Sequence, residues 1–241
     1  VLIVLIMGLM IFAPSIEASI PMLKSLLPIV IKRFRRLSLP LPQEYCRLAI
    51  MNPNDAVRLL MEFGDSFVRL WGWVSDFLRV IMVFEPSAVI HCYENIDRLK
   101  RTMNISIDIA RLIIKYRLSD KINYDEWLRL SRNLVRVSSS VLHQQSVIVF
   151  DNYVQFIENL PNSADIILLG PLIPTPIDLL ALISSGKLGN DYLPRTVDYI
   201  IKYIGDYIVT SRDLTEAFLR LINDNEYINF VKSTGLPMIL S

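Results

Sequence analysis

Residues able to do chemistry are few in this chain and stand far apart. Histidine occurs at His91 and His143 alone, and cysteine at Cys46 and Cys92 alone. A protein metal site needs three or four convergent donors. His91 and Cys92 are neighbours, and on a helix adjacent side chains point ~100° apart, so they supply no chelate. There is no CxxC, HExxH or GxSxG sequence, no phosphate-cradling glycine loop and no dinucleotide fingerprint, and the eight glycines are scattered. Aspartates and glutamates fall mostly on expected wet faces or helix caps. The chain is therefore expected to carry no catalytic residue, no metal and no cofactor, and not to be an enzyme. The two cysteines are expected to be free thiols in a reducing compartment, with one bridge in an oxidising compartment as the alternative.

With no site to position, the pattern of apolar residues carries the reading. Over 241 residues, 52% are hydrophobic and 20% charged, a mixture that suits a membrane-associated helical protein or a tightly packed bundle. The formal net charge of +1 gives no bulk support for a nucleic-acid partner, which needs a local patch instead. Lys32, Arg33, Arg35 and Arg36 are the one dense basic cluster, short and without an evident groove, so no nucleic-acid partner is expected.

Residues 1–36 read as an apolar membrane-anchoring or interfacial segment ending in that cluster. The alternative is a greasy packing helix, because residues 1–13 fall short of the ~20 apolar residues that a bilayer core requires. Residues 37–53, with Pro40, Pro42 and Pro53, read as a linker, and residues 54–241 as the body.

In the body, Ala56, Leu60, Phe63, Phe67, Leu70, Val74, Phe77, Ile81 and Phe84 recur at helical spacing, which predicts one long helix from Pro53 to Phe84. A second is predicted from Pro86 to about Ser119. A third opens at Asn123 and Glu126 and carries Trp127, Leu130, Leu134, Val137, Val141 and Ile148 on its apolar face. Val147–Phe150 is β-prone but sits in phase with that helix. The apolar stretch 164–183, broken by Gly170, Pro171, Pro174 and Pro176, is either a kinked pair of membrane-interface helices or a buried loop with a short helix. Shorter helices follow, from Arg195 to Val209 and from Arg212 to Val231. Three long rods with short connections imply an all-α fold, an antiparallel bundle with shorter C-terminal helices.

The feature with most physical content is residues 96–118. Ile96, Leu99, Met103, Ile107, Ala110 and Ile114 share a narrow arc, with Lys100, Arg101, Arg111 and Lys115 beside it and Arg98 and Arg117 adding charge. Such a helix suits an anionic membrane surface, with Met103, Ile107 and Ile114 among acyl chains and Arg98, Lys100, Arg101, Arg111 and Lys115 at the headgroups. It equally suits the solvent face of a bundle helix.

Four segments in order resemble the peroxisomal biogenesis factor 11 family of membrane-elongating proteins: AVRLLMEFGDSFVRLW at 56–71, SIDIARLIIKYRLSD at 106–120, SVLHQQSVIVFDNYVQFIENL at 140–160 and VDYIIKYIGDYIVTSRDL at 197–214. The resemblance implies a peroxisomal membrane protein that self-associates and remodels its membrane through the 96–118 helix. Its partners are then an anionic lipid surface and further copies of itself. The other reading is an α-helical protein-interaction or scaffold module without catalytic activity.

Overall fold

The computed structural model describes residues 8–132, 146–160 and 165–240. It overturns the all-α helical bundle: the chain is α/β, organised on a five-stranded parallel sheet in the order β3-β2-β4-β1-β5. The strands are β1 (Leu9–Phe12), β2 (Arg36–Pro42), β3 (Val89–Glu94), β4 (Val147–Phe150) and β5 (Asp165–Leu168). In register, Leu9 lies beside Val147 on one side and Asp165 on the other. Every residue of β1 and β4 is at most 5% exposed. That burial on both faces explains why a bundle was expected. A central parallel strand is a continuous apolar run without alternation, and periodicity cannot tell it from a greasy helix.

Two compact units are present, Val1–Leu99 with Ser139–Gly170, and Lys100–Ser138 with Pro171–Ser241. The first holds the sheet. Helix α1 (Ser19–Phe34) buries Leu23, Leu27, Val30, Ile31 and Phe34 at steps of three and four, an amphipathic face in contact with β2 and β4. Residues 9–34 thus hold a core strand and its covering helix. The expected linker is β2 followed by α2 (Gln43–Met51). Proline survives in this interior strand because β2 pairs with β4 only at Leu37 and Ser38, so the missing amide of Pro40 breaks no ladder there.

The long helix expected over 53–84 is three pieces, α3 (Pro53–Met61), α4 (Asp65–Trp71) and α5 (Val74–Phe84). Gly64, at φ +95°, makes the first break in a conformation that side chains avoid. Cys46 on α2 and Cys92 on β3 form a disulfide in place of the expected free thiols.

Helix α6 (Ile96–Ser119) is present as read, although β3 occupies the start of the predicted rod. Helix α7 (Tyr124–Arg132) opens where Asn123 Oδ1 accepts the amides of Asp125 and Glu126. Leu134, Val137, Val141 and His143 lie outside the described residues. Helix α8 (Tyr153–Glu158) follows β4 and belongs to the sheet unit. In place of membrane-interface helices, the 164–183 stretch holds β5, a buried loop and α9 (Pro176–Ser184), the last opened by a Thr175–Asp178 capping box.

The second unit continues with α10 (Leu193–Lys202), a π-helical turn at Tyr203–Ile208, α11 (Leu214–Ile222) and α12 (Asn225–Ser233). Its core stacks Tyr199 on Phe230 and sets it edge-on to Tyr227. Among the described residues, no helix is long and apolar enough to cross a membrane.

Candidate functional site: the outer face of the long helix and the polar cluster at its root

Open parallel sheets bind ligands at the carboxyl ends of their strands, where neighbouring strands send the chain in opposite directions. Here β1 connects to β2 beyond β4, and β4 connects to β5 beyond β1. Ser15 and Asp151 stand at that point. Ser15 Oγ donates to Asp151 Oδ2 at 3.1 Å and to the Asp151 carbonyl at 3.3 Å. Burial raises the Asp151 pKa to about 7, the charge of Glu94 adds to the rise, and the Ser15 hydrogen bond and Arg98 oppose it.

Glu94, the last residue of β3, is 4% exposed. It takes an ion pair from Arg98 and, at 2.7 Å on Oε1, a hydrogen bond from Gln155 Nε2 of α8. Asn152 caps α8 by accepting the Gln155 amide at 3.0 Å, and Asn95 accepts the Arg98 amide at 3.1 Å where α6 begins. Beside Glu94, Tyr93 donates its hydroxyl to the Val149 carbonyl at 2.8 Å, and burial holds its pKa well above the usual phenol value.

This cluster can hold a proton on Asp151 near neutrality. The serine beside it faces a carboxylate rather than an imidazole, and the described loop from Ala13 to Ser19 has no glycine or lysine to cradle a phosphate. Among the described residues no group of three or more His, Cys, Asp or Glu side chains could hold a metal ion. What the arrangement does locally is join the ends of β3 and β4 to the first turn of α6.

The rest of α6 divides cleanly by face. Ile105, Ile109 and Ile113 are buried. At 100° per residue the stripe Met103, Ile107, Ala110, Ile114 and Leu118 points roughly 140° away from them. It is in solvent: Met103 is 39% exposed, Ile107 44%, Ile114 59% and Leu118 85%. The buried face meets the π-helical turn, where a side chain at Gly205 would stand 2.8 Å from Arg117 Nη2 and 3.6 Å from Ile113 Cγ2. Glycine there allows the two helices to lie close.

The eight residues expected to meet lipid do not share one face of the helix. Met103, Ile107 and Ile114 share the exposed stripe with Lys100 beside it, whereas Arg101 is exposed on another side of the helix. Arg98 turns inward to Glu94, with its side chain 15% exposed. Arg111 is bonded to Asp108 at 2.9 Å and Lys115 to Glu126 at 2.7 Å, while Arg117 pairs with Asp206. The polar partners Glu94, Ser15, Asp151 and Gln155 are not legible in the sequence, because their common feature is a position at strand ends. Only recognition of the strands themselves exposes it.

The second unit also has an open groove lined by Lys202, Tyr207, Arg220 and Asp224 among others. Two of its charges are matched, Asp224 accepting from Lys202 at 2.7 Å and also from Tyr207 at 3.0 Å. No family model, no curated protein and no solved structure matches the chain.

Proposed function

We propose that this chain is an α/β interaction module that works as a homodimer, two copies packing antiparallel through the outer face of α6. The observation that carries it is the second apolar stripe of that helix, set almost opposite the first and left in solvent. A contiguous exposed stripe on an otherwise packed helix marks an interaction surface. Its spacing is self-complementary about a two-fold axis between Ala110 and Arg111. Met103 then faces Leu118 of the second copy and Ile107 faces Ile114, with the small Ala110 near the crossing. The Arg98–Glu94 pair ties the first turn of this helix to the end of β3.

The rival reading sets the same stripe on an anionic lipid surface, as a membrane-remodelling role requires. Its headgroup contacts are depleted, since Arg98, Arg111 and Lys115 already have carboxylate partners. One experiment separates the two. Sedimentation equilibrium at protein concentrations up to roughly 100 μM should show a dimer, weakened at least tenfold by Ile107→Asp with Ile114→Asp while the melting temperature is kept. A wild-type chain that stays monomeric over that range removes the proposal. If that monomer floats with phosphatidylserine vesicles and the double variant does not, the lipid reading takes its place.

A further inference from the structure

The end of α1 and the start of β2 bring four cations to one corner of the sheet unit. Lys32, Arg33, Arg35 and Arg36 are all exposed, and none has a carboxylate partner among the described residues. Several other cations are neutralised singly, Arg58 by Asp55, Arg98 by Glu94, Lys202 by Asp224 and Arg212 by Glu216. The corner lies at the amino-terminal edge of the sheet. There Arg36 stands in register with Val89, and the Val89 amide donates to the Arg35 carbonyl at 2.8 Å. Val89 is 58% exposed, and one turn upstream α5 ends at Phe84, 75% exposed. His91, also exposed, follows on β3, and the half-buried Glu85 is the one carboxylate in the intervening turn.

Arg35 also stands where a different residue is expected. It is the left-handed cap of α1, at φ +58°, with its amide donating to the Ile31 carbonyl. Helices ending this way usually place glycine at that position, because a Cβ is strained there.

We infer that this corner binds the phosphodiester backbone of a single-stranded nucleic acid. Four unneutralised cations on fixed backbone supply the charge. Three of them are arginines, whose planar fork matches phosphate oxygens in a way that lysine does not. Phe84 supplies an exposed ring on which a base can stack. A lipid surface requires no such fork and no fixed spacing, which is why the nucleic acid is preferred. The overall charge of +1 is no obstacle, since the field that matters is local.

The test is fluorescence anisotropy of the full chain with a labelled oligothymidylate of about 20 nucleotides, titrated across KCl concentrations. Binding should weaken with salt, with a log–log slope of about −3 for four phosphate contacts. Arg33→Gln with Arg36→Gln should lower affinity at least tenfold and flatten the slope, whereas Lys232→Gln, an exposed cation on α12, should leave both unchanged. Arg35→Gly separates binding from folding: affinity falls severalfold while the melting temperature rises. Absence of binding at low salt overturns the inference, and so does binding that the double variant leaves intact. Capture by phosphatidylserine vesicles with no oligonucleotide binding also overturns it, and assigns the corner to a membrane.

Discussion

Two apolar runs of similar character have opposite fates here. Val147–Phe150 is wholly enclosed as β4, whereas Met103, Ile107, Ile114 and Leu118 of α6 stand in solvent although they recur at helical spacing. The difference lies in what surrounds each run. β4 has β1 on one side and β2 on the other, which uses its backbone, and its side chains on both faces are buried. Helix α6 already spends Ile105, Ile109 and Ile113 on its own unit, and its second stripe is surplus to folding. Apolar content therefore shows how much surface a segment wants to hide. Whether the chain itself hides that surface depends on which strands and helices lie alongside.

The sharpest way to break that contrast is to truncate one residue in each run. Ile11→Ala, in the interior strand β1, should cost about 4 kcal/mol, from lost burial plus the cavity left in a site that cannot collapse. Ile107→Ala should stay within about 0.5 kcal/mol when measured on the monomer in dilute urea titrations. Equal losses at the two positions mean that the α6 stripe is part of the core.

A second contrast lies within α6 and has a somewhat smaller expected effect. Arg98 and Arg101 stand one turn apart, yet Arg98 is paired with buried Glu94 and Arg101 is exposed. Arg98→Met leaves an uncompensated carboxylate in the sheet unit and should cost about 3 kcal/mol. Arg101→Met should change stability by no more than about 0.5 kcal/mol. A harmless Arg98→Met means that the Glu94 cluster is open to water and does not anchor the helix.

These contrasts show how far the residues alone could be read. Helix α6 was legible because twenty-four residues hold one period and nothing interrupts it. The cap at Asn123 and the break in the apolar 164–183 stretch were also legible, each resting on local chemistry that needs no distant contact. The sheet was hidden because β1 and β4 are apolar on both faces, and β2 was further disguised by Pro40. Reading Ala56 to Phe84 as one helix failed at Gly64, where helical spacing continues across a turn. Phe84, counted as core, closes α5 in solvent. The polar cluster was invisible in principle: Ser15, Glu94, Asp151 and Gln155 are spread along the chain, and the parallel pairing of strands is what gathers them.

The smallest effect expected is the pH dependence carried by that cluster. Asp151 has a pKa of about 7 in the fold against 3.8 for an unperturbed aspartate, with burial as the main cause and the charge of Glu94 behind it. Glu94, Arg98 and Tyr93 are the titratable groups that act on it. Because the folded chain binds this proton more tightly, the contribution of Asp151 is complete below the unfolded pKa and is lost as pH rises through 7. A tenfold difference in proton affinity corresponds to ~1.4 kcal/mol, and a half-buried carboxylate keeps part of its hydration, so the loss between pH 5 and 8 should be about 2 kcal/mol. Asp151→Asn cannot ionise but still offers Ser15 an acceptor. Urea titrations at several pH values should show the variant nearly flat over this range, and more stable than the parent at pH 8. If parent and variant instead fall in parallel, the proton is held elsewhere. The carboxyl edge of the sheet is then as open to solvent as the outer face of α6, and the contrast between them disappears.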